Sequence, residues 1–283
     1  MRESRVESQV DQEFALRDND FRKIVDIVTT RTGIVINDKK RAFVHGRLGR
    51  RLRVLGLSDF RQYCDLLDSD AGEAEQAMLV NAVTTNHTSF FREPHHFQYL
   101  GKTVLPAIAD AEAGRNGRVR IWSAGCSTGE EPYTIAMILC GHAATSDWDR
   151  KILATDLDTN VISHARAGLY DAERVQSIPD IFRKRHVTLK KDGQGQMGEK
   201  LRSLISFAPL NLLEPWPMQG PFDVVFCRNV VIYFDKPTQA RLFNRYADLL
   251  RSDGWLFVGH SENLLNLTDR FRLVGNTVYQ RVK

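Results

Sequence analysis

The chain has 283 residues, 42% of them apolar and 26% charged, and a formal net charge of +4. That length can bury a large core, and the composition excludes a disordered or fibrous chain. No apolar run reaches membrane-spanning length, the first eight residues are too charged for a signal peptide, and the four cysteines show neither C-x-x-C pairing nor a metal-site rhythm, so free thiols in a reducing cytoplasm are expected.

Residues 1–17 are polar, lack turn chemistry and are expected to be loosely ordered. A helix follows, capped by Asn19 or Asp20, with Phe21, Ile24, Val25 and Val28 on one face and Gly33 as its stop. Residues 37–56 form a second helix that buries Val44, Leu48, Leu52 and Leu55. At 100° per residue, Lys39, Lys40, Arg47, Arg50 and Arg51 share a neighbouring face. Residues 39–53 hold seven Lys or Arg and no acid, so the basicity is local: without them the chain is at −3. This pattern favours an acidic partner surface over a merely solvated face. Nucleic acid and an acidic helical protein both qualify. A stretch with no aromatic but Phe43, and no Gly-aromatic RNA motif, weakens the single-stranded nucleic acid reading. Ser58 is read as the cap of a helix through Leu67, residues 68–72 as a break, and a further helix ends near Val83. Residues 1–83 thus read as a small all-helical domain, and 84–283 as a second domain.

The second domain begins with polar residues ahead of an apolar pair. Asn86, Thr88 and Arg92 offer an amide, a hydroxyl and a guanidinium, and a helix opens at Pro94 toward Ala109. His95 and His96 diverge by about 100° on a helix, so no metal site is expected. Residues 119–133 read as a strand, a turn on Gly125 and Gly129, and a helix start. Pro132 sits in the first turn, and Glu130 and Glu131 at the positive end of the helix dipole. Three readings fit this turn: a cofactor cradle at the carboxyl end of a strand, a G-x-S-x-G nucleophile elbow, and a turn without ligand. A G-x-G-x-x-G fingerprint is absent.

Residues 151–156 make the next strand, closed by Asp156, which binds ribose hydroxyls or merely caps; Asp158 caps the following helix. Residues 167–205 interrupt the rhythm. Their Gly-rich run at 190–200 is a turn between 185–189 and 201–207, an inserted hairpin that carries partner contacts or is a plain surface loop. Strands at 204–210 (ending at Asn211 and Leu212), 222–229 and 255–259 follow, with a helix over 237–251 stopped by Gly254. A strand pair within 271–282 completes a doubly wound α/β sheet.

Four runs together carry a resemblance: Thr85-Asn-His-Thr-Ser-Phe-Phe-Arg-Glu93, Ser123-Ala-Gly-Cys-Ser-Thr-Gly-Glu-Glu-Pro-Tyr133, Phe226-Cys-Arg-Asn-Val-Val-Ile-Tyr-Phe234 and Gly259-His-Ser-Glu262. In this order they resemble the CheR family of chemotaxis methyltransferases, over nearly the whole chain. The resemblance implies a seven-stranded, Rossmann-like methyltransferase sheet with a basic helical N-terminal domain and an inserted antiparallel β-subdomain. It implies methyl transfer from S-adenosylmethionine to glutamates of chemoreceptor cytoplasmic helices, with S-adenosylhomocysteine as product. Carried over by position, cofactor contacts fall on Asn86, Thr88, Arg92, Glu131, Asp156, Asn211, Leu212, Arg228 and Asn229, with Arg92 and Tyr233 nearest the transferred methyl. The implied partners are a receptor's acidic helical bundle and a receptor C-terminal peptide at the β-subdomain. No nucleic acid, metal or membrane insertion is expected, and the enzyme is expected to be a monomer.

Ser123 stands where the commonest methyltransferase loop has an acid, and only two glycines are kept, so residues 84–92 are expected to complete the grip on the methionine end. A glutamate substrate is ionised at neutral pH and needs no general base, which leaves in-line positioning as the enzyme's task and Arg92 as an orienting cation. Ser127, Asp223 and His260 fall in hydrolase order, but Glu130 and Glu131 would oppose an oxyanion and no HGGG-type loop is present. Nucleic-acid amino methyltransfer would call for an Asp- or Asn-Pro-Pro-aromatic motif where Arg228-Asn-Val-Val-Ile-Tyr233 stands. A cofactor-binding signalling module without turnover would carry the same binding residues.

Overall fold

The computed structural model describes residues 14–70, 72–111 and 117–283. The chain divides into two compact units: residues up to Thr85 together with Tyr233–Asp235, and Asn86–Ile232 together with Lys236–Lys283.

The first unit is helical: α1 (Asp18–Thr32), a 3-10 turn (Asp38–Lys40), α2 (Arg41–Leu55), α3 (Phe60–Asp68) and α4 (Gly72–Val83). Its core is the apolar stripe each helix contributes, including Ile24, Val28, Val44, Leu48, Leu52, Phe60 and Leu79, all fully buried. Gly33 and Gly56 end α1 and α2 with φ of 68° and 67°, the left-handed closure that glycine permits at a helix end. The α1 cap falls on Arg17 rather than Asn19 or Asp20. The α3 cap is Asp59, not Ser58, because the Asp59 carboxylate accepts the Gln62 N–H at 2.8 Å. Of the segment expected to be loose, residues 1–13 lie outside the described residues. Phe14 departs from that expectation: it is buried, and its carbonyl lies 2.6 Å from His45 Nε2.

The basic stretch also differs from its helical-wheel picture. Lys39 and Lys40 lie in the 3-10 turn ahead of α2, off its face. Arg41 pairs with Asp18 at 2.8 Å. Arg51 forks onto Glu75 of α4 through Nε at 2.9 Å and Nη2 at 2.5 Å, and Tyr63 donates its hydroxyl to the same carboxylate at 2.9 Å. Glu75 is buried, so Arg51 is a structural ion pair and not a surface charge. Arg47 and Arg50 are exposed.

The second unit opens with α5 (Pro94–Tyr99), which runs through a π-helical stretch, Leu100–Val104, into α6 (Leu105–Ala111). Then come β1 (Arg118–Ala124), α7 (Glu130–Gly141), β2 (Asp149–Asp156), α8 (Thr159–Ala167), β3 (Leu169–Tyr170), α9 (Ala172–Gln176), α10 (Asp180–His186), β4 (Val187–Leu189), β5 (Gly195–Met197) and α11 (Glu199–Arg202). The chain finishes with β6 (Ile205–Pro209), β7 (Phe222–Cys227), α12 (Lys236–Leu249), β8 (Leu250–Val258), β9 (Phe271–Gly275) and β10 (Val278–Arg281). Seven strands form one sheet in the order β6-β2-β1-β7-β8-β10-β9, in which β10 alone runs against the rest. Every residue of β7 is buried, as in a parallel strand covered on both faces. The chain winds outward through β2 and β6 on one side of β1 and then returns through β7 on the other, which makes the carboxyl ends of β1 and β7 the topological switch point.

The inserted segment forms a separate antiparallel sheet, β3-β5-β4. Its return strand is β5, inside the Gly-rich run, and not 201–207, which divides between α11 and β6. Gly195 explains this: a Cβ there would lie 2.5 Å from Val175 Cγ2, so only glycine packs the strand this closely. Gly254 does not stop α12 either. The helix passes directly into β8, where a Cβ on Gly254 would crowd Leu250 Cδ2 at 3.0 Å and the Asp223 carbonyl at 3.1 Å. Among the described residues, no helix is long and apolar enough to cross a membrane.

Candidate active site

At the carboxyl end of β1 the chain turns on Gly125 and Gly129, whose φ values of 89° and 99° are closed to ordinary side chains. The N–H groups of Gly125 and Cys126 both donate to the Thr155 carbonyl, at 2.8 and 2.9 Å, which pins the turn to β2. Asp156 ends β2 and accepts two further main-chain N–H groups, from Ser127 at 2.8 Å and Asp158 at 3.0 Å. Part of its surface stays open to solvent, but the enclosing protein pushes its pKa up to about 6 against the pull of those N–H groups. An ionised carboxylate has about four lone-pair sites, so Asp156 can still accept hydroxyl donors. Asp158 caps α8 as expected, accepting from Asn160 N at 2.8 Å. Its other oxygen accepts from Asn86 Nδ2 at 2.7 Å, while Ser127 Oγ donates to the Asn86 carbonyl at 2.9 Å. The segment carrying Asn86 and Thr88 is thereby tied to the glycine turn.

A buried charge chain runs beneath this surface. Ser123 donates its hydroxyl to Glu131 at 2.7 Å, and the other Glu131 oxygen pairs with Arg228 at 3.0 Å. Ser123, standing where an acid was the common choice, thus serves as a donor to Glu131. Arg228 reaches onward to the Arg92 carbonyl at 2.6 Å and to Glu93 at 3.2 Å, and the Glu93 carboxylate meets His260 Nδ1 at 3.0 Å. Burial alone would raise Glu93, but His260 and Arg228 outweigh it and hold its pKa at about 2. Arg92 is half-buried and flanked by two left-handed residues, Phe91 at φ 55° and Glu93 at φ 56°. Its Nη1 donates to the His87 carbonyl at 2.8 Å. Glu130, the other acid at the start of α7, is fully buried and paired with Arg174 at 2.5 Å.

Asn211 closes a tight turn on the Leu213 N–H at 3.0 Å, with Leu212 buried beside it. Its segment follows β6, where Leu210 N–H donates to the Asp156 carbonyl at 2.9 Å. Asn229, at φ 60°, follows β7. Asn86, Thr88, Arg92, Glu131, Asp156, Asn211, Leu212, Arg228 and Asn229 therefore all lie in the sheet-bearing unit, in its 86–92 segment or where its strands lead into turns and helices at their carboxyl ends. Tyr233 groups with the helical unit instead. There its carbonyl accepts the Val35 N–H at 2.9 Å and Lys40 Nζ lies 5.0 Å from its ring centroid.

The hydrolase trio is not assembled. Asp223 sits near the amino end of β7 on Arg251 and the Arg120 N–H, His260 pairs with Glu93, and Ser127 is at the opposite end of the sheet. Glu93, His95 and His96 do bring ligand atoms within 4.8 Å of one another. Both Glu93 oxygens already lie on Arg228 and His260, and burial together with Arg228 drives His96 down to about 3. A metal ion there would face the guanidinium.

Sequence reasoning missed Glu93 and Glu262 as organisers of the site, although both stood at the ends of singled-out runs. Their partners are far off in sequence, and only the run boundaries hinted at them.

The glycine turn is compatible with an adenosyl cofactor: Gly125 and Gly129 let main chain pack where a Cβ would strike Val230 at 2.3 Å or Ala165 and Tyr170 at 2.8 Å, and the Asp156 carboxylate lies beside the turn with acceptor capacity left for hydroxyl donors. Comparison with known proteins agrees. Residues 86–280 match the model of the CheR methyltransferase SAM binding domain, and residues 19–84 match that of the CheR all-alpha domain. The chain is similar to the chemotaxis protein methyltransferase of Escherichia coli K12, with 44% identity over 275 residues, spanning 96% of this chain and 93% of that one. It is 42% identical over 275 residues to the chemotaxis protein methyltransferase of Salmonella typhimurium LT2, with the same coverage of 96% and 93%. To chemotaxis protein methyltransferase 2 of Pseudomonas aeruginosa PAO1 it is 44% identical over 272 residues, spanning 95% of each chain. With motifs, sheet order and both family models in agreement along one chain, this protein belongs to the CheR family of S-adenosylmethionine-dependent methyltransferases.

Proposed function

We propose that this enzyme methylates glutamate side chains on the cytoplasmic helices of chemoreceptors, forming glutamate methyl esters and releasing S-adenosylhomocysteine. The observation that carries the reading is the commitment of the carboxylates around Arg92. Glu131 is taken by Ser123 and Arg228, and Glu93 by Arg228 and His260. None is left to act as a base, which suits a nucleophile that is already an anion. Arg92 supplies a cation to orient that anion. When bound, S-adenosylmethionine supplies an electrophilic sulfonium methyl, so an O–C bond to the substrate carboxylate forms as the S–C bond breaks and no proton moves. Asn86, Thr88, Glu131, Asn211, Leu212, Arg228 and Asn229 line the cofactor site in this reading, with Asp156 on the ribose hydroxyls.

Two surfaces suit a receptor. Arg47 and Arg50 on α2 are exposed cations that complement an acidic helical bundle, and β4 is an edge strand with Thr188 and Leu189 exposed, open to an added peptide strand. The test is transfer of labelled methyl to a receptor cytoplasmic fragment. Base-labile label on glutamates is expected. Cofactor binding without label would instead mark a signalling module, and label on other side chains would sink the substrate assignment. Reversing Arg47 and Arg50 to Glu, with Arg51 left on Glu75, should slow the labelling about fivefold at low salt. Little effect is expected at physiological ionic strength, where the Debye length is about 8 Å.

A further inference from the structure

Past β8 the chain turns through Gly259 to Glu262, a carboxylate that is 4% exposed and whose residue touches no cation in an ion pair among the described residues. It is satisfied by main chain instead. Glu262 Oε2 accepts the N–H groups of Asn229 at 2.9 Å and Gly259 at 2.6 Å, and Oε1 accepts those of Val230 at 2.9 Å and Ile232 at 3.3 Å. Three of these four donors belong to one turn, the one that follows β7 and contains Asn229 at φ 60°. The turn has no glycine to take its left-handed residue, and it runs into a short 3-10 turn at Val231–Tyr233. Gly259 completes the fit from below: a Cβ there would lie 2.4 Å from Asn229 Nδ2 and 2.9 Å from its main-chain nitrogen. On the far side, Gln239 Nε2 donates to the Val231 carbonyl at 2.9 Å.

We infer that Glu262 is a positioning residue for methyl transfer: its carboxylate gathers the N–H groups of the 228–232 turn and so presents Arg228 and Asn229 to the cofactor. The inference rests on the assignment of Arg228 and Asn229 to the cofactor site. A carboxylate is the one side chain that can do this. It offers two acceptor oxygens and no donor, and both oxygens are used twice. An amide of the same shape must turn a donor NH2 toward two of the four N–H groups, which converts two hydrogen bonds into repulsive contacts.

Glu262→Gln is therefore the informative variant. In calorimetry with S-adenosylhomocysteine it should show a dissociation constant raised about tenfold with the binding stoichiometry unchanged, and a kcat lowered about tenfold with the receptor-fragment KM within about twofold. Glu262→Asp, which keeps the acceptors on a shorter arm, should recover part of both. A purely structural role would do the opposite: stoichiometry and kcat would fall with the folded fraction while the dissociation constant stayed at the parent value. That result, or parental kinetics for Glu262→Gln, overturns the inference. If Glu262→Gln does not fold, Gly259→Ala presses on the same turn from the other side. It should reproduce the affinity loss, and parental affinity there counts against the proposal. The parent enzyme separates the two readings: if it neither binds S-adenosylhomocysteine nor transfers methyl, the cofactor assignment itself has failed.

Discussion

The turns after β1 and β7 leave neighbouring parallel strands at the same edge of the sheet, yet they take their shapes from different sources. The first is shaped largely where it stands. Gly125 and Gly129 adopt positive φ because they have no Cβ, and the N–H groups between the strands settle on Thr155. Distant residues then hold that shape: Thr155, Asp156 at 29 residues from Ser127, Asn86, and Tyr170, whose hydroxyl donates to the Thr128 carbonyl at 2.7 Å. The second turn has no glycine, and three of its N–H groups are gathered by Glu262, 33 residues beyond Asn229. A turn made by a missing side chain is broken by adding one. A turn made by a remote carboxylate is broken from outside. The two also touch, since a Cβ on Gly125 would come within 2.3 Å of Val230 Cγ2.

That contact is where the largest effect is expected. Gly125→Ala should weaken S-adenosylhomocysteine binding about a hundredfold, about 2.7 kcal/mol. The left-handed conformation costs a Cβ-bearing residue about 1–2 kcal/mol, and the collision with Val230 supplies the rest. Adding Val230→Ala removes the collision and keeps the backbone strain, so the double variant should recover about tenfold in titration calorimetry. A double variant no better than the single would mean that the turns are independent.

Asp156→Asn should come next, costing about 1–3 kcal/mol of S-adenosylhomocysteine affinity by removing a charged acceptor. Its pH signature sharpens the comparison. Burial raises the folded pKa from 3.8 to about 6, so the proton is held more tightly in the folded chain than in the unfolded one. The stability tied to this group is complete below about pH 3.8 and is lost as pH rises through about 6. Hydroxyl donors from a ribose need the ionised form. Affinity should therefore be flat above about pH 6 and fall by up to about tenfold per unit below it, and the rise in melting temperature on adding S-adenosylhomocysteine should shrink as pH falls across the same interval. The Asn variant should show neither trend. A flat profile in the parent would separate Asp156 from the ribose.

The smallest effect belongs to Ser127→Ala. The main-chain N–H to Asp156 survives, and only the hydroxyl bond to the Asn86 carbonyl goes, about 0.5–1.5 kcal/mol. Methyl transfer should persist within about tenfold. Loss of activity beyond that would assign the hydroxyl a direct part in the reaction.

Much of the site was legible because its parts announce themselves over short spans. Gly125, Gly129 and Pro132 mark a strand-to-helix turn, an acid closing a strand marks Asp156, and the four long runs together resemble one family. The helical stripes of α1 and α2 were equally plain, since Ile24, Val28, Val44, Leu48 and Leu52 repeat at the helical period. The errors cluster where a residue's role depends on something far along the chain. Gly195 looked like a turn glycine and is a packed strand residue under Val175. Gly254 looked like a helix stop and lies within β8. Arg51 looked like one of seven unopposed cations until α4 brought Glu75 beneath it.

By itself, then, the sequence determined the long helices and the parallel strands, the order in which they alternate and the family to which they belong, because periodicity, turn chemistry and motif spacing act among near neighbours. Only the tertiary structure decided which charges are spent on one another. Arg51 meets Glu75, Arg228 meets Glu131 and Glu93, and Glu262 meets four N–H groups, each across a separation set by packing and not by spacing. A buried charge has to be met by a partner, and which partner arrives depends on how the layers close over it.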